Sequence, residues 1–217
     1  MARQYGNLNI ASEIIICVLI AVSIWIASAL FLVANTTWQK SLLEQTGTSQ
    51  EGIAFNNVFI QYVLADDNKL FSSESLNDAE SSHMTNVRSV FRLAFGVLLS
   101  CIAISAVLIS RVSSAKPAII AGAILSMVGI ITVVFLPFMS FFTSLHKVFF
   151  PEGNWIFPAA SFLIQTYNVS FWEKIVQVWG ELVICVSIFL IVVVYAVKEV
   201  RAYCKKYYSQ TTSKRIN

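Results

Sequence analysis

Charge is scarce in this chain. Only 12% of its 217 residues are Asp, Glu, Lys or Arg while 57% are hydrophobic, and the mean hydropathy is +0.71; an ordinary soluble domain carries about 25% charged residues. That deficit excludes a water-soluble globule and assigns the chain to a bilayer. The net charge of +3 is too small to argue for nucleic acid, and no basic patch interleaved with aromatic residues offers itself to single strands. Cysteine is also sparse. Cys17, Cys101 and Cys185 lie inside apolar runs and Cys204 in a basic tail, so no disulfide framework is implied. Without CxxC or a Cys/His cluster there is no familiar zinc site, and His83, His146 and Glu152 match no known ligand spacing. Nucleophile elbows, phosphate-binding loops, HExxH and kinase signatures are missing as well. No metal and no cofactor is expected, and any chemistry has to proceed without a conventional nucleophile motif or a bound nucleotide.

What the chain has in quantity is long apolar sequence. A span needs about 20 mostly apolar residues, and four stretches qualify: Ile14 to Ala34, Phe91 to Ile109, Pro117 to Phe142 and Val176 to Val197. The Ala27-Ser28-Ala29 triplet resembles a signal-peptidase site, but the run before it is long for a signal peptide and its leading charge slight. Arg3, the turn from Arg111 to Lys116, and the tail with Lys198, Arg201, Lys205, Lys206, Lys214 and Arg215 fall on one side. The positive-inside rule makes that side, with both termini, cytoplasmic. The predicted fold is an all-α, four-transmembrane-helix bundle, one integral membrane domain over 1–217, with a small extracytoplasmic cap from outer loops 35–90 and 143–175. The first loop carries Glu44, Glu51, Asp66, Asp67, Glu74, Asp78 and Glu80, and this acidity reinforces the orientation. No internal repeat suggests an inverted-repeat transporter.

Local signals refine the outer side. Thr48 with Glu51 has the spacing of a capping box, ahead of a run in which Phe55, Phe59, Tyr62 and Val63 share one face. This predicts a short helix at the membrane surface. Trp38, Trp155, Phe157, Trp172 and Trp179 fall at the expected interfaces, where an aromatic belt is the plain reading.

The chain's two histidines, His83 and His146, sit on the outer side within a few residues of a span. In SSHMTNVRSVFR, Ser81 or Ser82 is placed to cap the helix of the second span, so His83 would feel the positive end of the dipole and stay neutral. His146 follows the third span and precedes Phe149-Phe150 and a turn at Pro151-Glu152-Gly153-Asn154. Apolar surroundings also favour the neutral imidazole, the state a general base must occupy. Arg88 and Arg92 share a helical face at the outer boundary, suited to phosphate, carboxylate or carbonyl oxygens, although snorkelling explains them equally well. Glu181 lies about one turn inside the fourth span, where a carboxylate is a functional candidate.

Taken in order, these residues resemble the bacterial lipoprotein intramolecular transacylase (Lit) family. That family's pattern has an Asn and a Tyr in the first outer loop, an HxxDV[KR] motif entering the second span, and FH or LH followed by aromatics, a turn and Trp after the third. The matching residues here are Asn57 and Tyr62 in NNVFIQYVL, His83 to Arg88 as HMTNVR, and LHKVFFPEGNWIFP. Two departures stand out: Asn86 replaces the motif's Asp, and Phe157-Pro158 lacks an acidic neighbour. Asn86 can orient a neighbour but cannot stabilise an imidazolium by charge.

The resemblance implies movement of the sn-2 acyl chain of a diacylglyceryl-modified lipoprotein cysteine onto its own α-amino group, giving the lyso form. On that reading His83 and His146 are catalytic. Arg88, Asn86, Asn154, Trp155, Tyr62 and Asn57 bind substrate or the oxyanion. The partners are a diacylated lipoprotein and membrane lipid, at the bacterial plasma membrane, and nothing calls for more than a monomer. Two other classes share the layout. A non-enzymatic four-span binding protein fits the sequons Asn35-Thr36-Thr37 and Asn168-Val169-Ser170 but lacks paired outer-loop cysteines. A transporter would need central charges or broken helices that the spans lack, Pro137 apart.

Overall fold

The computed structural model describes residues 2–64, 76–112 and 114–216, with side chains described within 10–200 of these, position 198 apart. All regular structure among the described residues is helical: α1 (Ala2–Ala34), α2 (Thr36–Gln45), α3 (Gln50–Leu64), α4 (Asp78–Ile109), α5 (Lys116–Phe135), α6 (Phe138–Phe149), α7 (Phe162–Thr166) and α8 (Val169–Ile216). Four helices are long and apolar enough to cross a membrane: Ile10–Ala34 of α1, α4, α5 and Val169–Val197 of α8.

α1, α4, α5 and α8 form a bundle in which α1 packs on the other three and α5 on α8. With apolar lipid on the outside, helices associate through close fit and interhelical hydrogen bonds. Trp25 Nε1–H donates to Ser126 O, and Trp179 Nε1–H to Trp25 O, each at 3.1 Å. The two indoles meet edge to face at 5.3 Å. Closest approach is at Gly122, where a Cβ would stand 2.6 Å from Cys17 O.

The apolar run from Pro117 to Phe142, expected as one span, is two helices. Pro137 pushes Leu136 into extended backbone, ψ 147°, and has no N–H to continue the ladder. α5 ends at Phe135 and α6 starts at Phe138, so His146 rides on a helix of its own rather than in a loop.

The first outer segment also differs from expectation. Ser49, not Thr48, caps α3, its Oγ accepting from Gly52 N at 3.1 Å; the Thr48 hydroxyl donates to Thr166 O at 2.9 Å. The expected face of Phe55, Phe59, Tyr62 and Val63 is buried. Both sequon asparagines are helix caps: Asn35 Oδ1 accepts from Trp38 N, and Asn168 Oδ1 from Phe171 N. Asp66, Asp67 and Glu74 lie outside the described residues.

α4 starts a turn earlier than Ser81 or Ser82 would place it. Asn77 is the cap, and it forms a reciprocal box with Glu80. Glu80, read from sequence as a loop acid, is 1% exposed. One carboxylate oxygen accepts from Asn77 N at 3.1 Å and the other from Leu163 N of α7 at 3.0 Å. A single side chain thereby caps α4 and ties α7 to it. His83 consequently sits in the second turn, past the strongest reach of the dipole.

Two stability predictions follow from these contacts. Gly122→Ala presses a methyl group on a backbone oxygen that cannot rotate away, an overpacking worth about 1–3 kcal/mol; the unfolding midpoint in detergent should fall, while Gly96→Ala, which meets nothing within 4 Å, should not lower it. Equal midpoints would show that α1 and α5 part easily. Glu80→Ala strands the buried Leu163 N–H and the partly buried Asn77 N–H, at about 1–3 kcal/mol for a buried donor. Glu80→Gln should recover part of the loss, since its amide oxygen can accept only in one of the two places.

Candidate active site

Between the end of α1, the short helices α2, α3, α6 and α7, α4 and the start of α8 lies a cavity of about 390 Å³, a size that holds an organic ligand. Its wall is almost entirely aromatic and aliphatic. α6 contributes Phe138, Phe141, Phe142, Leu145, His146 and Phe149, a three-and-four spacing that marks one helical face. α4 contributes His83, Val87 and Phe91 along a second stripe.

The two histidines, distant in sequence, converge in this wall. Their ring centroids are 6.2 Å apart and the planes are inclined by only 26°. Phe142 lies 4.0 Å and Trp155 4.9 Å from His146; Phe150 lies 4.8 Å and Phe157 5.6 Å from His83. Aromatic carbon replaces water around both rings, and a second positive charge so close to a first would be repelled.

His146 Nδ1 lies 2.9 Å from Phe142 O. A carbonyl can only accept, so Nδ1 carries the proton, and in the neutral ring Nε2 keeps its lone pair. Burial lowers the pKa of His146 below the usual 6.5, with the Phe142 hydrogen bond acting in opposition. Asn154, beyond the turn that Gly153 makes with φ 77°, stands beside His83. His83 Nδ1 and Asn154 Oδ1 are both buried without a hydrogen-bond partner among the described residues.

The other sequence candidates scatter. Trp155 lines the cavity, as do Phe157, Trp172 and Trp179, so most of the expected aromatic belt forms this wall instead. Tyr62 is buried beneath the Arg88 guanidinium, which lies 4.1 Å from its ring; neither is among the lining residues, nor is half-buried Asn86. Arg92, Glu152 and Glu181 are exposed, and Glu181 accepts a hydrogen bond from Gln177. Asn57 is half-buried and off the wall; its neighbour Asn56 lines the cavity and is 1% exposed. Helical spacing was the available signal, since Asn56 lies four residues after Gly52 and before Ile60, both buried.

Tyr167 gave no sequence signal. Its hydroxyl donates to Asn56 Oδ1 at 3.0 Å, and burial pushes the phenol well above its ordinary pKa. The site therefore offers neutral proton acceptors and donors in a water-poor pocket, which suits proton transfer around an uncharged or transiently charged substrate.

Residues 8–172 match the family described as lipoprotein intramolecular transacylase Lit. No curated protein is matched in sequence. Among solved structures, the membrane-integral lipoprotein intramolecular transacylase Lit from Bacillus cereus superposes with a TM-score of 0.78 at 18% identity, over 91% of this chain and 99% of that one. A form of the same protein with one histidine replaced by alanine gives 0.77 at 16% identity, over 93% and 99% of the two chains. A form with arginine instead gives 0.72 at 16%, over 93% and 97%. At such identities the likeness is one of fold.

Proposed function

Because the chain belongs to the Lit family of lipoprotein intramolecular transacylases, we propose that it moves the sn-2 acyl chain of a diacylglyceryl-modified lipoprotein cysteine onto that cysteine's own α-amino group. The product is lyso-form lipoprotein. The observation that carries this reading is the pair of imidazoles, 6.2 Å apart, in one apolar cavity.

The amine nitrogen attacks the sn-2 ester carbonyl, a C–N bond forms, the C–O bond to glycerol breaks, and the proton leaving nitrogen is matched by one gained at the glycerol oxygen. His146 is the base. Its Nδ1–H is held by Phe142 O, which leaves Nε2 as the acceptor. The proton taken up by His146 is passed by way of His83, whose ring lies 6.2 Å away across the cavity, to the departing oxygen, so that both imidazoles end neutral. Since nucleophile and ester belong to one molecule, orientation supplies much of the rate, with effective molarities of about 10⁵ M or more in well-placed systems. Asn154, next to His83, is the donor for the developing oxyanion. Asn86, Arg88 with Tyr62, and Asn57 support the wall from behind, and Trp155 covers the substrate.

One copy supplies both histidines, so this reading needs no more than a single integral membrane domain acting as a monomer. The cavity is at the end of the bundle where α1 and α5 finish and α4 and α8 begin, opposite the basic turn at Arg111–Lys116. By the positive-inside rule that end faces out of the cell. The short helices and turns around the cavity form an extracytoplasmic cap, at headgroup depth where a lipoprotein's reactive head would lie.

Removing either ring should be severe. His83→Ala and His146→Ala should each lower lyso-lipoprotein formation about 10²- to 10⁴-fold, scored by mass spectrometry of lipoprotein N-terminal peptides from a host making only diacylated forms. Normal product in both variants would end the two-histidine mechanism.

The pH profile offers a second check. With its pKa held below 6.5 by burial, His146 is mostly neutral from that pH upward, so the enzyme's base is already largely active there. The rise of kcat/KM between about pH 6.5 and 8 should follow only the free amine of the substrate, near 7.7–8.0. A separate enzyme inflection in that window, lost in His146→Ala, would contradict the assignment.

A further inference from the structure

We propose that Asn56 is a further substrate-binding residue, whose Nδ2–H donates a hydrogen bond to an ester carbonyl oxygen of the acylated substrate in the cavity. The inference rests on the transacylase reading above but concerns recognition rather than proton transfer.

Asn56 is 1% exposed and lines the cavity. Its Oδ1 accepts from the Tyr167 hydroxyl at 3.0 Å, and with the amide this way round Nδ2 points away from the phenol. Its Nδ2 is buried and has no hydrogen-bond partner among the described residues. Native proteins rarely leave a buried donor unused, and where they do a ligand is one accepted reason. Gln39, the other amide in the wall, shows the contrast: its Nε2 is engaged by Leu32 O and Val33 O at 2.8 and 2.9 Å. Asn56 alone of the two amides keeps a donor in reserve.

The chemistry of the missing partner is narrow. It must be an acceptor. A phosphate or carboxylate would bring a charge into a wall that contains no lysine or arginine, at a large desolvation cost. A hydroxyl would bring a donor of its own that also needs satisfying. An ester carbonyl brings lone pairs and no proton. A diacylglyceryl group has two, the sn-2 carbonyl that is attacked and the sn-1 carbonyl that is not. Along the wall, Tyr167 contacts Trp172 at 5.9 Å, Trp172 contacts Phe142 at 6.1 Å, and Phe142 covers His146. This run of rings connects the amide to the proton-transfer pair within one cavity of about 390 Å³.

The test uses the full chain in detergent with two synthetic diacylated lipopeptides, one with an sn-1 ester and one with an sn-1 alkyl ether that lacks that carbonyl. Wild type is compared with Asn56→Leu and with Asn56→Leu/Tyr167→Phe. The double variant removes both polar partners together, so no orphaned phenol remains to unfold the site, and its unfolding midpoint should match wild type. Bond to the sn-1 oxygen: wild type prefers the ester by about tenfold in kcat/KM, and both variants lose the preference. Bond to the sn-2 oxygen: wild type treats the two alike, and the variants lose about tenfold in kcat on both. Wild-type constants and preferences in the variants would overturn the proposal. Binding of the ester lipopeptide, followed by fluorescence of the lining tryptophans, is the readout independent of turnover: wild type that binds without transferring acyl groups would count against the transacylase reading, whereas unchanged affinity in both variants would count against Asn56.

Discussion

Everything at this site depends on a missing N–H. Pro137 cannot extend α5, and it holds Leu136 in an extended conformation, so the chain changes direction and starts again as α6. Had the run continued as one helix, His146 would lie on the extension of the α5 axis. Instead α6 turns a whole face of phenylalanines, with His146 among them, toward α4. A backbone restriction written by one residue is thus converted into the meeting of two side chains more than sixty positions apart.

The electrostatics of that meeting are those of a pocket that tolerates little charge. Aromatic rings contact both imidazoles on several sides, the Arg88 charge is kept over Tyr62, and the Glu80 carboxylate is occupied by two backbone donors. Charged groups near the cavity are therefore committed to structure. What remains available for chemistry is neutral: a lone pair on His146, a ring nitrogen on His83, the Asn56 amide in the wall, and the Asn154 amide beside His83 but off the cavity lining. For a reaction that exchanges one neutral acyl linkage for another within a single molecule, this is an appropriate balance.

How much of this was legible in the sequence varies by interaction. The four spans are a matter of composition, and His83 and His146 stood out as titratable groups beside apolar runs, whereas Asn154 and Trp155 became candidates only through the resemblance to the Lit pattern. Glu80 was misread because a carboxylate in an acidic stretch looks solvated until its two backbone donors, one of them 83 residues away, are known. The cap of α4 was misplaced for the same reason, since Asn77 and Ser81 are equally good caps until tertiary contact selects one. Asn57 entered through the family pattern alone, whereas the spacing Gly52, Asn56, Ile60 along α3 marks its neighbour as the covered one. Tyr167 was invisible because its importance lies entirely in a partner 111 positions away.

The glycine contact between α1 and α5 has a mechanical corollary. Backbones that touch at Gly122, together with the indole hydrogen bonds between α1, α5 and α8, make a stiff frame. α6 has no buried residue of its own; it follows α5 at the Leu136–Pro137 joint and is otherwise held by its C-cap Phe150 and by ring contacts with Trp172 and Trp155. Elements with few buried contacts cost least to displace. The pocket therefore combines a stiff wall with a panel held mainly by ring contacts, and the panel carries the proposed base: were α6 displaced outward, its imidazole would leave its partner with it, so the displacement that widened the pocket would also separate the reactive pair.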